Sequence, residues 1–302
     1  MRYSHLLNSV LNGKWLILPR DAFSQEIIVD KLLNREYDPE TFSRILSESK
    51  PFNAFVNGKK VEAQASSYDN IPEESTAIFG LSGTMLKYGT WCSYGTMEIA
   101  NAILEAGNHK RVGSIVLDID SGGGSVDSIA PLTDAITSVR KLGKSVVASV
   151  DLCASAAYFV ACHCNEITAN NNISSEIGSI GVMMSFFDWS KYYEKEGRTQ
   201  HTIYSTLSDR KNRPFELALK GEYDEIKAEE LDPLAKIFQS VVRKQRGDKL
   251  KEETAGILQG RMFFAEKAMA EGLIDHVESL DFAIQRAREI RLNSIINNYT
   301  NN

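Results

Sequence analysis

The sequence is poor in cysteine, has no long apolar run and carries no excess of basic charge. Four cysteines (Cys92, Cys153, Cys162, Cys164) in 302 residues cannot make a disulfide framework and fit a reducing, cytoplasmic setting. No window approaches the ~18 uninterrupted apolar residues of a membrane span. The opening "MRYSHLLNSVLNGKWLILPRD" has neither the basic flank nor the continuous apolar segment of a secretory signal. Lys and Arg total 34 against 40 Asp and Glu, and no basic stretch offers an electrostatic footprint for nucleic acid. The pair of thiols in "CHC" at 162–164 suggests zinc, but neighbouring side chains on one helix diverge and no second ligand pair follows at finger spacing. A buried structural role is expected there, with no metal or other cofactor.

What the chain does have is an alternation of apolar runs and amphipathic stretches from residue 76 onward. "TAIFGLSG", "GSIVLDID", "KSVVASVD" and "NEITAN" read as strands. Between them, "GTMEIANAILEAG", "SVDSIAPLTDAITSVRKLG" and "SAAYFVACH" read as helices. That rhythm predicts an α/β fold with right-handed crossovers and a mostly parallel sheet. Beyond 215 the pattern turns helical. The expected division is an N-terminal segment of unassigned role (1–65), a linker (66–75), a main domain (76–290) and a polar, disordered tail (291–302).

Three elements could share one site. In "LDIDSGGGSVDS", glycines 122–124 follow a buried strand, where positive φ can turn their N–H groups toward an anion or a developing oxyanion. A tight strand-to-helix turn is the plainer reading. A dinucleotide loop fits poorly, because Asp127 stands where the third fingerprint glycine belongs. In "VDLCASAAYFVA", Ser155 sits between a strand end and a helix start among small residues. It is a candidate nucleophile with the Ala156 amide beside it, although a serine there also suits a helix cap. A serine needs a base, and His163, eight residues along the helix, lies about 12 Å away. His5, His109, His201 and His276 read as surface residues. In "YSTLSDRKNRPFELALKGEY", Lys211 follows the strand-like "HTIY". A lysine serves as a base only where desolvation populates its neutral amine, and alone this one reads as a surface side chain.

The ordered set "LDIDSGGGSV", "CASAAYFVACHCNEITAN", "GSIGVMM" (178–184) and "GRMFFAEKAMAEGLIDHVES" (260–279) resembles the signal peptide peptidase A family of serine peptidases. It is most similar to the phage head-maturation branch, the lambda capsid protease C-like group, and the likeness covers about 75 to 290. The resemblance implies a Clp-protease/crotonase-like fold of repeated β-β-α units. It also implies ATP-independent hydrolysis of peptides, including capsid or scaffold proteins and the chain itself, by a Ser-Lys dyad in a homo-oligomer. By motif position the nucleophile is Ser155 and the oxyanion donors are the amides of Gly123, Gly124 and Ala156. Gly122 stands where the family has proline. The family's lysine lies five residues before a proline, which here is Asp209, so Lys211 takes the role only with a two-residue shift. Lys220 falls in the following helical pattern, and Arg210 cannot release its proton. The same fold also admits an inert assembly subunit, or acyl-CoA chemistry needing no serine.

Overall fold

The computed structural model describes residues 15–17, 53–62, 64–89, 93–186, 188, 190–199 and 201–300. Cys92, His5 and most of the N-terminal segment therefore lie outside the described residues.

The strands are β1 (Trp15–Ile17), β2 (Asn53–Val56), β3 (Lys59–Glu62), β4 (Ser75–Ser82), β5 (Val112–Ser121), β6 (Gly123–Ser125), β7 (Ser145–Ala154), β8 (Glu166–Ala169), β9 (Glu176–Gly178), β10 (Met262–Phe264) and β11 (His276–Val277). The helices used below are α1 (Thr96–Asn108), α2 (Ile129–Lys141), α3 (Ala156–Ala161), α4 (Ser190–Lys195), α5 (Arg213–Leu219), α6 (Asp232–Arg246), α7 (Ala265–Ala270) and α8 (Leu280–Thr300).

Nine strands form one sheet in the order β10-β9-β7-β5-β4-β2-β3, with β8 branching from β7 and β11 from β8. The pairs from β4 through β5 and β7 to β8, β9 and β11 are parallel, as the alternating pattern predicts. On β5 the period-2 alternation sets Ile115, Leu117 and Ile119 into the main core with Ile99 and Ile103 of α1 and Leu132 and Ile136 of α2. Val116 falls on the opposite face, with Val147 and with Ala283 and Ala287 of α8. The chain is thus α/β, with helices on both faces of a mostly parallel sheet. Helices α1 and α2 meet closely at Gly107, where a Cβ would stand 2.3 Å from Val139 Cγ2.

Two stretches differ from the sequence expectation. Residues 66–75, read as a linker, are packed: Tyr68 is fully buried, and Ile71 lies against the core. The hairpin β2–β3 before it joins the sheet through antiparallel pairing of β2 with β4. The tail from 291, read as disordered, continues α8 to Thr300. Asparagine is a poor helix former, but extending a helix that tertiary contacts have already nucleated costs little. Those contacts are the two buried alanines and Arg291, which donates to Glu74 and to the Gly143 carbonyl.

Candidate active site

Strand β7 runs as far as Ala154, three residues past the expected end, because β9 pairs in parallel with Leu152–Ala154 after β8 has left the strand at Val150. Strand β10 backs β9 from the other side. Gly178 closes β9 at φ +133°, and a Cβ there would lie 2.4 Å from the Arg261 carbonyl oxygen, so this position requires glycine. Its carbonyl accepts the Ser155 N–H at 2.9 Å.

At Ser155 the backbone turns to φ 55°, ψ −118° and helix α3 begins at the next residue. A serine that caps a helix has extended backbone and a side-chain oxygen accepting an N–H of the first turn. Ser155 has neither. Its Oγ instead lies 3.5 Å from the Gly181 carbonyl, and the residue is 1% exposed. A non-glycine residue in this region is strained, and a serine held so at a strand-to-helix turn is the geometry of a nucleophile elbow.

The glycine turn stands beside it. Gly123 has φ +102°; its N–H donates to Ser121 Oγ at 3.2 Å, and its carbonyl accepts the Met85 N–H at 2.9 Å. Ser125 N–H in turn donates to the Met85 carbonyl at 3.0 Å. A Cβ on Gly124 would stand 1.9 Å from that same carbonyl, and one on Gly123 would stand 3.0 Å from the Ala156 nitrogen. Gly123 and Gly124 therefore answer to close backbone approach on two sides, and the turn is packed against the amide that follows Ser155.

Four expected site residues, Ser155, Ala156, Gly123 and Gly124, are thus brought together. Lys211 is elsewhere: it is exposed in a turn where its own N–H donates to the Ser208 carbonyl at 3.1 Å. The "HTIY" before it forms no strand, and Ile203 is 92% exposed. Among the described contacts of Ser155 Oγ there is no lysine nitrogen. Met85, Ser121, Gly178 and Gly181, which fix the turn and the serine, escaped sequence reasoning. "GSIGVMM" carried two of them as a matched motif without a role.

His163, His109 and His276 are structural partners. His163 shares its Nδ1 with the Phe159 carbonyl at 2.9 Å and stacks on that ring, and burial pushes its pKa down. His109 and His276, expected on the open surface, are half-buried and pair with Asp69 and Glu166. Cys153, Cys162 and Cys164 are buried thiols; burial pushes Cys162 and Cys164 up to about 12. Tyr158 of α3 donates from its hydroxyl to the Leu273 carbonyl at 2.8 Å, so the "GLIDH" stretch braces the helix that opens at Ser155. Among the described residues no helix is long and apolar enough to cross a membrane.

Comparison with known proteins bears on the lineage of the chain. A chloroplastic serine protease SPPA of Arabidopsis thaliana is 31% identical over 232 residues, covering 72% of this chain and 32% of that protein. Protease 4 of Haemophilus influenzae is 23% identical over 73% of this chain and 35% of its own length. The head-tail preconnector protein GP5 of Enterobacteria phage P21 is 26% identical over 71% of this chain and 41% of its own. The chain spans about a third of the length of the first two relatives. Among solved structures, a 1510-N membrane-bound stomatin-specific protease aligns over 70% of this chain and 82% of its own at 12% identity, with a TM-score of 0.45. Residues 138–293 match the model of peptidase family S49. Since that match takes in more than half of the chain, with Ser155 and everything that braces it from the C-terminal side, the chain belongs to peptidase family S49.

Proposed function

We propose that the chain is an ATP-independent serine endopeptidase in which Ser155 is the nucleophile and Lys211 the base. The observation that carries this reading is the backbone of Ser155, strained at positive φ and without the capping bond that would otherwise account for a serine at this position. The neutral Lys211 amine takes the Ser155 Oγ proton, and the oxygen attacks a peptide carbonyl. The oxyanion that forms is met by the amides of Ala156 and of the turn at Gly123 and Gly124, the Gly123 N–H exchanging its bond to Ser121 Oγ for one to the oxyanion. As the C–N bond breaks, the lysine returns its proton to the leaving amine. Water then attacks the acyl group, giving up a proton to the same lysine, which passes it to Ser155 Oγ as the acyl C–O bond breaks.

The base comes from a second copy of the chain. Lys211 is exposed on an arm that also leaves Ile203 and Leu207 92% and 93% exposed, which supports a surface that another subunit covers. The substrates are capsid or scaffold proteins and the chain itself; the likeness to a head-tail preconnector protein supports a role among phage head proteins.

Intact-mass and peptide analysis of the wild type, Ser155→Ala and Lys211→Ala incubated with denatured capsid-type protein tests this. Cleavage by the wild type and its loss in both folded variants is the expected result. Full activity in Lys211→Ala would remove Lys211 from the scheme, with Lys220 the next candidate, and full activity in Ser155→Ala would end it.

A further inference from the structure

Strand β1 lies antiparallel to β6, with Trp15 opposite Ser125, Leu16 opposite Gly124 and Ile17 opposite Gly123. The other side of β6 is held by Met85, which bridges to Gly124. Strand β1 therefore fills the edge that remains. It is the edge beside Ser155: a Cβ built on Gly123 would fall 2.1 Å from the Leu16 carbonyl oxygen and 3.0 Å from the Ala156 nitrogen, so that carbonyl and that amide are neighbours. Leu16 and Ile17 are 3% and 2% exposed, so two large aliphatic side chains are accommodated next to the glycine turn.

A peptide that adds a strand to a sheet edge gets its affinity from main-chain hydrogen bonds and its specificity from pockets for its side chains. We propose that residues 15–17 occupy, in cis, the strand position that substrate peptides use, so that the chain is self-inhibited and its groove selects extended segments carrying leucine or isoleucine. The inference rests on the peptidase reading above for what the groove is for, but not for what it binds.

The test uses the full chain and a fluorescein-labelled peptide of sequence NGKWLILPR, followed by fluorescence anisotropy. In L16D/I17D two carboxylates are set where burial forbids charge, which empties the edge. A groove open in only a tenth of wild-type molecules lowers apparent affinity about tenfold. The peptide should therefore bind L16D/I17D about tenfold more tightly than wild type, and L16A/I17A in between. The same gain should appear in a Ser155→Ala background. A control peptide with aspartate at the two aliphatic positions should not bind. Equal affinity of wild type and both strand variants, or no binding to any of them while circular dichroism shows all to be folded, overturns the inference. Binding needs no chemistry, so tight binding without hydrolysis would count against the peptidase reading and leave the occupied strand standing.

Discussion

At the residue scale, the meaning of Ser155 lies in a backbone angle that no sequence prints. "CASAAYF" is compatible with a helix cap or an elbow, and local composition favours the cap; the choice is made by β9, whose pairing carries β7 to Ala154 and leaves one residue to turn the chain. The strain gives a prediction. Ser155→Ala and Ser155→Gly should both lose hydrolysis, but the glycine variant, free at φ 55°, should be more resistant to urea than the alanine variant by about 1 kcal/mol. Equal midpoints would mean that the angle carries no strain. The buried thiols behave oppositely to a reactive site. With Cys162 and Cys164 held near 12, iodoacetamide should leave Cys153, Cys162 and Cys164 unmodified in the native protein and alkylate all three in denaturant, as peptide mapping would show.

At the element scale, the main helices and parallel strands from 75 to 169 were legible because β5 and β7 are long apolar runs buried on both faces, while α1 and α2 keep a 3.6 period over thirteen residues each. What was not legible is short or depends on distant partners. Strands β9, β10 and β11 have three, three and two residues, too few to show a period. The 66–75 stretch has the composition of a linker, yet it buries one tyrosine that decides its path. Besides Phe238 and Val242 in the core, α6 is tied to the sheet by an ion pair that only the fold creates. Arg246 meets Asp275 with both side chains about 95% buried, while Asp275 also accepts from Lys249 and from the Ile167 amide. Burial would raise the Asp275 pKa, but these donors, Arg246 first, bring it down to about 2. A carboxylate depressed in the folded state stabilises above its unfolded pKa, so this contribution, of order 2 kcal/mol, is whole above about pH 4 and is lost as pH falls toward 2. Asp275→Asn should flatten the acid limb of a stability profile and cost about 3 kcal/mol or more at pH 7, since Arg246 is left buried and unpaired. An unchanged acid limb would contradict this. In the same layer, Gly178→Ala should cost about 2 kcal/mol or more and slow the reaction, because the added Cβ meets Arg261 and shifts the carbonyl that holds the Ser155 amide.

At the scale of the whole molecule, Ser155 and the glycine turn are assembled within one chain, and Lys211 is presented outward on an arm with exposed aliphatic side chains. A base supplied across a subunit boundary predicts complementation. Ser155→Ala and Lys211→Ala, each inactive alone, should regain hydrolysis when mixed under conditions that allow subunit exchange, because some sites then pair an intact serine with an intact lysine. A mixture as inactive as its parts would require the base to lie in the same chain. The sequence could carry the motif order that revealed this lineage, but not the placement of Lys211, whose loop departs from the family spacing, nor the occupation of the groove by a strand more than a hundred residues upstream.

The central claim is that Ser155 is chemically activated, and a fluorophosphonate probe reads that most directly. After incubation with the wild type and with L16D/I17D, peptide mapping should find one phosphonyl adduct, on Ser155, formed faster in the strand variant and absent from Ser155→Ala. Folded, assembled protein that takes no adduct on Ser155 in either form would contradict the account.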